Sequence, residues 1–279
     1  MELIASVPTP FTASGELDLD GAARTFRFAA ARKASLFVAG TTGEFPSLDD
    51  DERLARFKVA LEITGPERTI VHVGAADSRH AARLAATAVA HGATRLAAIS
   101  PYYLPARPDE VAAYFAAVQK AAGDARVYAY LFPERTGATL TPPELSRVAG
   151  ETGLAGVKLS GASAAQLEEY VRAAPAGFAV YTGDDSQVVE AARVGASGVV
   201  SGVSSAFPAP FAELLAAVLA DEDEPDTRVT AEAVRLLGPS IGRLKYAQSL
   251  LGLAGPHARM AVDSPDAAVR AAIERLVPR

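Results

Sequence analysis

The chain has 279 residues, a formal net charge of −6, 49% hydrophobic and 22% charged residues, and no cysteine. This is the composition of a globular protein; it speaks against nucleic acid or an anionic membrane as the main partner and excludes disulfides and thiol catalysis. The four histidines, His72, His80, His91 and His257, show no ligand-like clustering. The opening residues lack the segments of a signal peptide, and no apolar run approaches the ~20 residues of a membrane span, so a cytoplasmic enzyme without metal or cofactor is expected.

In chain order, short apolar runs at 3–7, 36–39, 69–73, 95–99, 126–130, 156–159, 178–181 and 198–201 read as strands. They are apolar throughout rather than alternating, as strands of a parallel sheet covered on both faces are. Helical patterns separate them. Leu54, Phe57 and Leu61 mark one face of a segment ending at Gly65-Pro66, and Ser78 opens a helix that Gly92 closes. Pro108 starts another, with Val111, Tyr114, Phe115, Val118 and Ala122 on one face and Gly123 as its stop. Thr141 and Glu144 form a capping box around two prolines.

This repeat over about 220 residues matches an α/β (β/α)8 TIM barrel better than a doubly wound open sheet. An acidic stretch from Asp221 to Asp226 reads as a solvated linker, and the remainder of the chain as helices. The expected organisation is a catalytic barrel over 1–222 and a helical extension over 223–279 packed on it.

Barrel active sites form at the C-terminal ends of the strands, which directs attention to the residues placed there. Lys158 lies inside an apolar strand, whereas Lys33, Lys58, Lys120 and Lys245 sit in helical or connecting segments with polar neighbours. Burial disfavours the charged form of an ammonium and frees an amine nucleophile; pairing with a buried carboxylate, or escape to solvent at the rim, is the other reading. The turn Gly40-Thr41-Thr42-Gly43-Glu44 can aim N–H and O–H groups at a carboxylate, or can be a plain strand-to-helix turn. Tyr103 and Tyr130 are candidate proton relays or core aromatics, and Arg135 a candidate anion contact or a solvated loop residue. Asp184 and Asp185 suggest a metal less than they suggest an N-cap for the helical run 187–194. Two carboxylates after the seventh strand also argue against a phosphorylated substrate, since barrel phosphate sites use the loops after strands seven and eight.

Together these residues resemble the dihydrodipicolinate synthase/N-acetylneuraminate lyase family of pyruvate-dependent class I aldolases. The run from Ser35 to Phe45 (SLFVAGTTGEF) followed by Glu52 fits the family's first signature, and Pro101-Tyr102-Tyr103 fits the next. Tyr130 precedes Lys158 by the family's interval, and Gly183-Asp184-Asp185 and the run from Gly198 through Val200 to Ser201 follow in order. The resemblance covers about residues 3–211 and weakens beyond. It implies a (β/α)8 barrel in which Lys158 forms an imine with pyruvate and the derived enamine joins an aldehyde, or the reverse. It implies that Thr42 holds the pyruvate carboxylate, that Tyr130, Thr41 and Tyr103 shuttle protons, and that Gly43, Val200 and Arg135 contact substrate. In the family the tyrosine matching Tyr103 reaches across a dimer interface, so a homo-oligomer, dimer or tetramer, is implied.

Arg135 is similar to the arginine with which the family's synthases bind aspartate semialdehyde, which favours 4-hydroxy-tetrahydrodipicolinate synthase and lysine biosynthesis. Leu104, Leu131 and Leu159 stand where synthases commonly carry polar groups, and Phe45 where they have a small residue. Those departures keep open an aldolase for a 2-keto-3-deoxy sugar acid, with a non-catalytic ligand-binding relative as the remote reading. Ala76 replaces the asparagine common in lysine-inhibited members, so no inhibition by lysine is expected.

Overall fold

The computed structural model describes residues 1–277. In chain order the elements are β1 (Glu2–Ser6), α1 (Leu19–Ala30), β2 (Ser35–Val38), α2 (Asp50–Thr64), β3 (Thr69–His72), α3 (Ser78–Ala90), β4 (Arg95–Ile99), α4 (Pro108–Ala122), β5 (Arg126–Leu131) and α5 (Pro133–Thr136). There follow α6 (Pro142–Thr152), β6 (Gly156–Leu159), α7 (Leu167–Ala173), β7 (Ala179–Thr182), α8 (Val188–Arg193), β8 (Gly198–Ser201), α9 (Pro208–Leu219), α10 (Arg228–Leu237), α11 (Ile241–Leu250) and α12 (Ala267–Leu276). The strands form a closed barrel in sequence order, so the chain is a (β/α)8 barrel with additional C-terminal helices. Each strand lies within one residue of its sequence-based range.

The elements begin and end where local chemistry requires. Asp49 accepts the Glu52 N–H while the Glu52 carboxylate accepts the Asp49 N–H, closing a capping box on α2. At the start of α6 the Thr141 N–H and hydroxyl both donate to the Glu144 carboxylate, each at 2.7 Å, and a cap is worth about 1 kcal/mol. Pro108 occupies the first turn of α4, and Gly123 ends it at φ 59, where a side chain would be strained. Among the described residues no helix is long and apolar enough to cross a membrane.

The described residues resolve into two units: 1–2 with 69–200, and 3–68 with 201–277. In the first, β3 to β8 pair in parallel, and Tyr130, Lys158 and Tyr181 stand side by side in register on β5, β6 and β7. Strand residues such as Val71, Leu96, Ala97, Ala129, Val157 and Leu159 are fully buried, as expected of a sheet covered on both faces. In the second, β1 pairs in parallel with β2, and Phe26, Phe57, Phe211, Leu237 and Ala247 belong to its core.

Candidate active site

In the first unit the centre of interest is Lys158. Its side chain is buried at 7% exposure, and its Nζ lies 4.0 Å from the centroid of the Tyr130 ring on the neighbouring strand. Tyr181 flanks Lys158 on the other side in register, but its hydroxyl is engaged elsewhere. It donates to Glu2 Oε2 at 3.1 Å and accepts from Arg95 at 3.3 Å. Burial, and then the Glu2 charge, push the Tyr181 phenol well above its ordinary range. Tyr130 is thus the tyrosine whose ring meets the lysine, while Tyr181 is part of a polar cluster with Glu2 and Arg95.

The Tyr130 ring is itself boxed in. His72 packs edge-on at 6.2 Å and Phe132 lies tilted at 6.1 Å. His72 is fully buried, and its Nε2 accepts the Ile99 N–H at 3.1 Å, which gives it a neutral acceptor nitrogen. Phe132 in turn carries the Arg135 guanidinium over its face at 5.6 Å. The short α5 that bears Arg135 is pinned on two sides. Glu134 accepts the Ala162 N–H at 2.7 Å, and Ser100 donates to the Thr136 hydroxyl at 3.2 Å. Lys158, Tyr130, Phe132 and Arg135 therefore form a ladder from a buried amine to an exposed cation. A Cβ on Gly183 would meet the Ser160 hydroxyl and lie 2.9 Å from Lys158 Cε, so the lysine stem occupies space that only glycine leaves.

The remaining expectations in this unit separate. Tyr103 is 91% exposed with φ 81, and the neighbouring Leu104 is 71% exposed. Val200 is buried in β8. Asp184 does not cap the following helix: it accepts from Ser186 N at 2.9 Å and Ser186 Oγ at 2.6 Å, and α8 begins behind Gln187 without a side-chain cap. The turn consumes the carboxylate before the helix starts. Among the described residues no group of three or more His, Cys, Asp or Glu is placed to hold a metal.

The pleat also changes the meaning of two departures. Successive side chains on a strand point to opposite faces, so Leu131 and Leu159, each next to a residue of the ladder, point away from it. Both are fully buried, as helix-facing residues of a covered sheet should be.

In the second unit the turn after β2 carries Thr41 and Thr42, both half-buried, and the buried Gly43 and Glu44. The Glu44 N–H donates to Thr41 O at 3.0 Å and the Phe45 N–H to Gly40 O at 3.3 Å. Phe45 is buried beneath the Arg53 guanidinium at 5.6 Å. Glu44 forms an ion pair with Lys245 of α11, a lysine only 2% exposed. Burial pulls the Lys245 ammonium below its ordinary range, opposed by the Glu44 charge. Arg56, fully buried on α2, is pulled down by desolvation to about 9, again opposed by Glu44. Sequence reading placed Lys245 among polar neighbours and gave Glu44 no role. The signal it had was a glutamate fixed within a turn, with its partner far off in the chain.

A closed parallel barrel with a buried strand lysine set against a tyrosine defines a candidate lyase of the class I aldolase type. The sequence matches the pattern of the Dihydrodipicolinate synthetase family over residues 1–259. The 4-hydroxy-tetrahydrodipicolinate synthase 1 of Streptomyces coelicolor is 36% identical over 226 residues, covering 80% of this chain and 72% of that protein. The 4-hydroxy-tetrahydrodipicolinate synthase of Salinibacter ruber is 31% identical, covering 92% and 88%. Among solved structures, YagE of Escherichia coli K12, a prophage protein of the dihydrodipicolinic acid synthase family solved in complex with pyruvate, superposes with TM-score 0.89 at 25% identity over 99% of this chain and 96% of that one. The chain belongs to the dihydrodipicolinate synthetase family and is a pyruvate-dependent, Schiff-base-forming lyase of the class I aldolase type.

Proposed function

We propose that this protein is a 4-hydroxy-tetrahydrodipicolinate synthase, condensing pyruvate with L-aspartate semialdehyde, and that Lys158 is its Schiff-base lysine. The Lys158 amine attacks the C2 carbonyl of pyruvate; water leaves and an imine forms. The imine draws electrons from C3, which loses a proton to give an enamine. The enamine carbon attacks the aldehyde carbon, whose oxygen takes a proton, and the imine to Lys158 re-forms; the amino group of the semialdehyde then adds to C2 and expels the Lys158 amine, closing the ring of the product. Tyr130, against Lys158, is assigned the proton transfers, with Thr41 and Tyr103 as partners in the relay. Thr42 holds the pyruvate carboxylate, with Gly43 and Val200 beside the substrate, and Arg135 takes the carboxylate of the semialdehyde.

The observation that carries this reading is the ladder from Lys158 through Tyr130 and Phe132 to Arg135. It links an amine nucleophile to a cation on a pinned segment, which suits a second substrate bearing a carboxylate. That the Streptomyces and Salinibacter relatives are 4-hydroxy-tetrahydrodipicolinate synthases supports the same reading. A 2-keto-3-deoxy sugar acid aldolase is the second reading. It rested on three leucines and Phe45; two of the leucines point away from the ladder, which leaves Leu104 and Phe45 as its support, so the synthase is favoured. We also assign the protein to a homo-oligomer in the cytoplasm. The support for assembly is the outward-standing Tyr103 with its left-handed backbone, beside exposed Leu104, a pair suited to cover by a second copy.

Pyruvate consumption is measured with L-aspartate semialdehyde and, in parallel, with sugar aldehydes. Turnover that depends on the semialdehyde is expected. Turnover only with a sugar aldehyde would transfer the protein to the sugar-acid aldolases and remove the role given to Arg135. Borohydride with pyruvate is expected to add one carboxyethyl group at Lys158; no mass gain would end the Schiff-base assignment to this residue.

A further inference from the structure

The turn that carries Thr41 and Thr42 ends in an unusual way. Glu44 adopts φ 53, a left-handed conformation in which a glutamate is uncommon, and it does so with its side chain fully buried. Such a residue persists only where its surroundings over-determine it. Here they come from the C-terminal segment. Glu44 Oε1 pairs with the Lys245 ammonium, and Oε2 accepts the N–H groups of Arg259 and Met260 at 3.0 and 2.9 Å. Lys245 is fixed in turn by donating to His257 O at 2.6 Å and by lying 4.6 Å from the centroid of the Phe11 ring.

The other side of the turn is held as firmly. Buried Arg56 donates to the Thr9 hydroxyl and, at 3.1 Å, to Pro8 O; the Thr9 hydroxyl donates to the Gly43 carbonyl. A Cβ on Gly43 would lie 2.9 Å from Ala39 Cα and 3.2 Å from the Arg56 guanidinium, so the backbone is pressed against its support. Arg259 adds a two-pronged pair with Glu52 at 2.7 and 2.6 Å and donates to Ser47 O at 3.0 Å, just beyond the turn. Gly43 and Glu44, the two residues after Thr42, are thereby clamped at a carbonyl and at a carboxylate.

A buried ion pair contributes little net stability, because desolvation consumes most of the Coulomb attraction, but removing either partner strands a buried charge and is strongly unfavourable. We propose that Lys245 and Glu44 are positioning residues for the keto-acid carboxylate: through them the C-terminal segment sets the backbone of the Thr41–Thr42 turn. The inference rests on the reading above in which Thr42 holds that carboxylate. It gives the helices after the barrel a defined part in substrate binding.

The test is steady-state kinetics of full-length Lys245→Met, Lys245→Arg and Thr42→Val beside the wild type, with melting curves for each. Lys245→Met leaves the Glu44 carboxylate buried without its counter-charge. The KM for pyruvate is expected to rise by about 10- to 100-fold, a scale set by the cost of small misplacements, while kcat changes by less than about threefold and the KM for the aldehyde stays put. Lys245→Arg, which keeps charge and donors, is expected to recover most of the affinity. A folded Lys245→Met with a lower melting temperature and an unchanged pyruvate KM would overturn the proposal, as would a loss confined to kcat. If Thr42→Val leaves the pyruvate KM unchanged, the role of Thr42 fails instead; if it raises KM and Lys245→Met does not, only this inference fails. Should Lys245→Met not fold, Glu44→Gln carries the same test with an amide oxygen kept for Arg259 and Met260. Failure of both to fold would make the pair a stability element alone and overturn the proposal.

Discussion

Two lysines of this protein are buried, one in each unit, and their settings differ. Lys245 sits on a helix, paired with a carboxylate that is itself fully buried and doubly hydrogen-bonded to backbone. Lys158 sits on a strand with its Nζ over the face of a tyrosine and its stem against a glycine. A carboxylate at contact distance holds an ammonium in its charged form, which suits structure and prevents nucleophilic attack. A ring face attracts the cation more weakly, by about 0.5–2 kcal/mol. Burial is thus common to both lysines, and what distinguishes them is the group that faces each nitrogen: a carboxylate for Lys245 and an aromatic ring for Lys158.

The comparison is tested most severely by removing each amine. Lys158→Ala is expected to abolish both borohydride-trapped pyruvate and turnover while its circular dichroism stays that of the wild type. Trapping at Lys245 in that variant would reverse the two assignments. Lys245→Met, by contrast, is expected to cost about 3–5 kcal/mol in denaturant unfolding, because it strands a buried carboxylate, while pyruvate is still trapped at Lys158. Tyr130→Phe keeps the ring beside Lys158 and removes only the hydroxyl. A loss of about 10²–10⁴-fold in kcat is expected, the range of general acid–base catalysis; near wild-type kcat would make Tyr130 a packing residue.

Smaller effects sharpen the picture. Gly183→Ala places a methyl group against the Ser160 hydroxyl, Leu159 O and Lys158 Cε, and overpacking of this kind costs about 1–3 kcal/mol. Its trapping rate with pyruvate should fall together with its unfolding free energy; a drop in stability with an unchanged trapping rate would show that the stem has room to move. Arg135→Ala should raise the semialdehyde KM by about tenfold or more, as loss of a charged hydrogen bond of about 1.5–3 kcal/mol implies, and leave the pyruvate KM alone. Equal rises in both would place Arg135 in general packing.

The smallest effect concerns pH. Hydrogen bonding from Arg259 holds the Glu52 carboxyl below its ordinary range, against a partial desolvation. A carboxyl depressed on folding stabilises the native state above its unfolded value, and that contribution is lost as pH falls from there through the depressed one. The melting temperature of Glu52→Gln should accordingly fall less steeply than that of the wild type below about pH 4.5, and lie slightly lower at pH 7. Parallel curves would mean that the pair contributes nothing measurable.

What the sequence determined by itself was the periodic part of the molecule. Apolar runs and caps are local, so the strands from β3 to β8, the Thr141–Glu144 cap and the stop at Gly123 were all legible. Lys158 stood out as an ionisable group inside an apolar strand, whereas Tyr130 could as well be a core aromatic and was singled out only by the family resemblance. Facing and pairing were not. Leu131 and Leu159 look adjacent to the site in a linear reading, and only the pleat, which turns successive side chains to opposite faces, removes them from it. Tyr181 carries the same functional group as Tyr130, yet its hydroxyl is committed to Glu2, which lies 179 residues earlier in the chain. Glu44 and Lys245 each look like ordinary polar residues, and the second clamp on Glu44 comes from Arg259, 215 residues away. Tertiary structure alone brings such charges together, since the free energy of a buried ion depends on neighbours that no local pattern specifies.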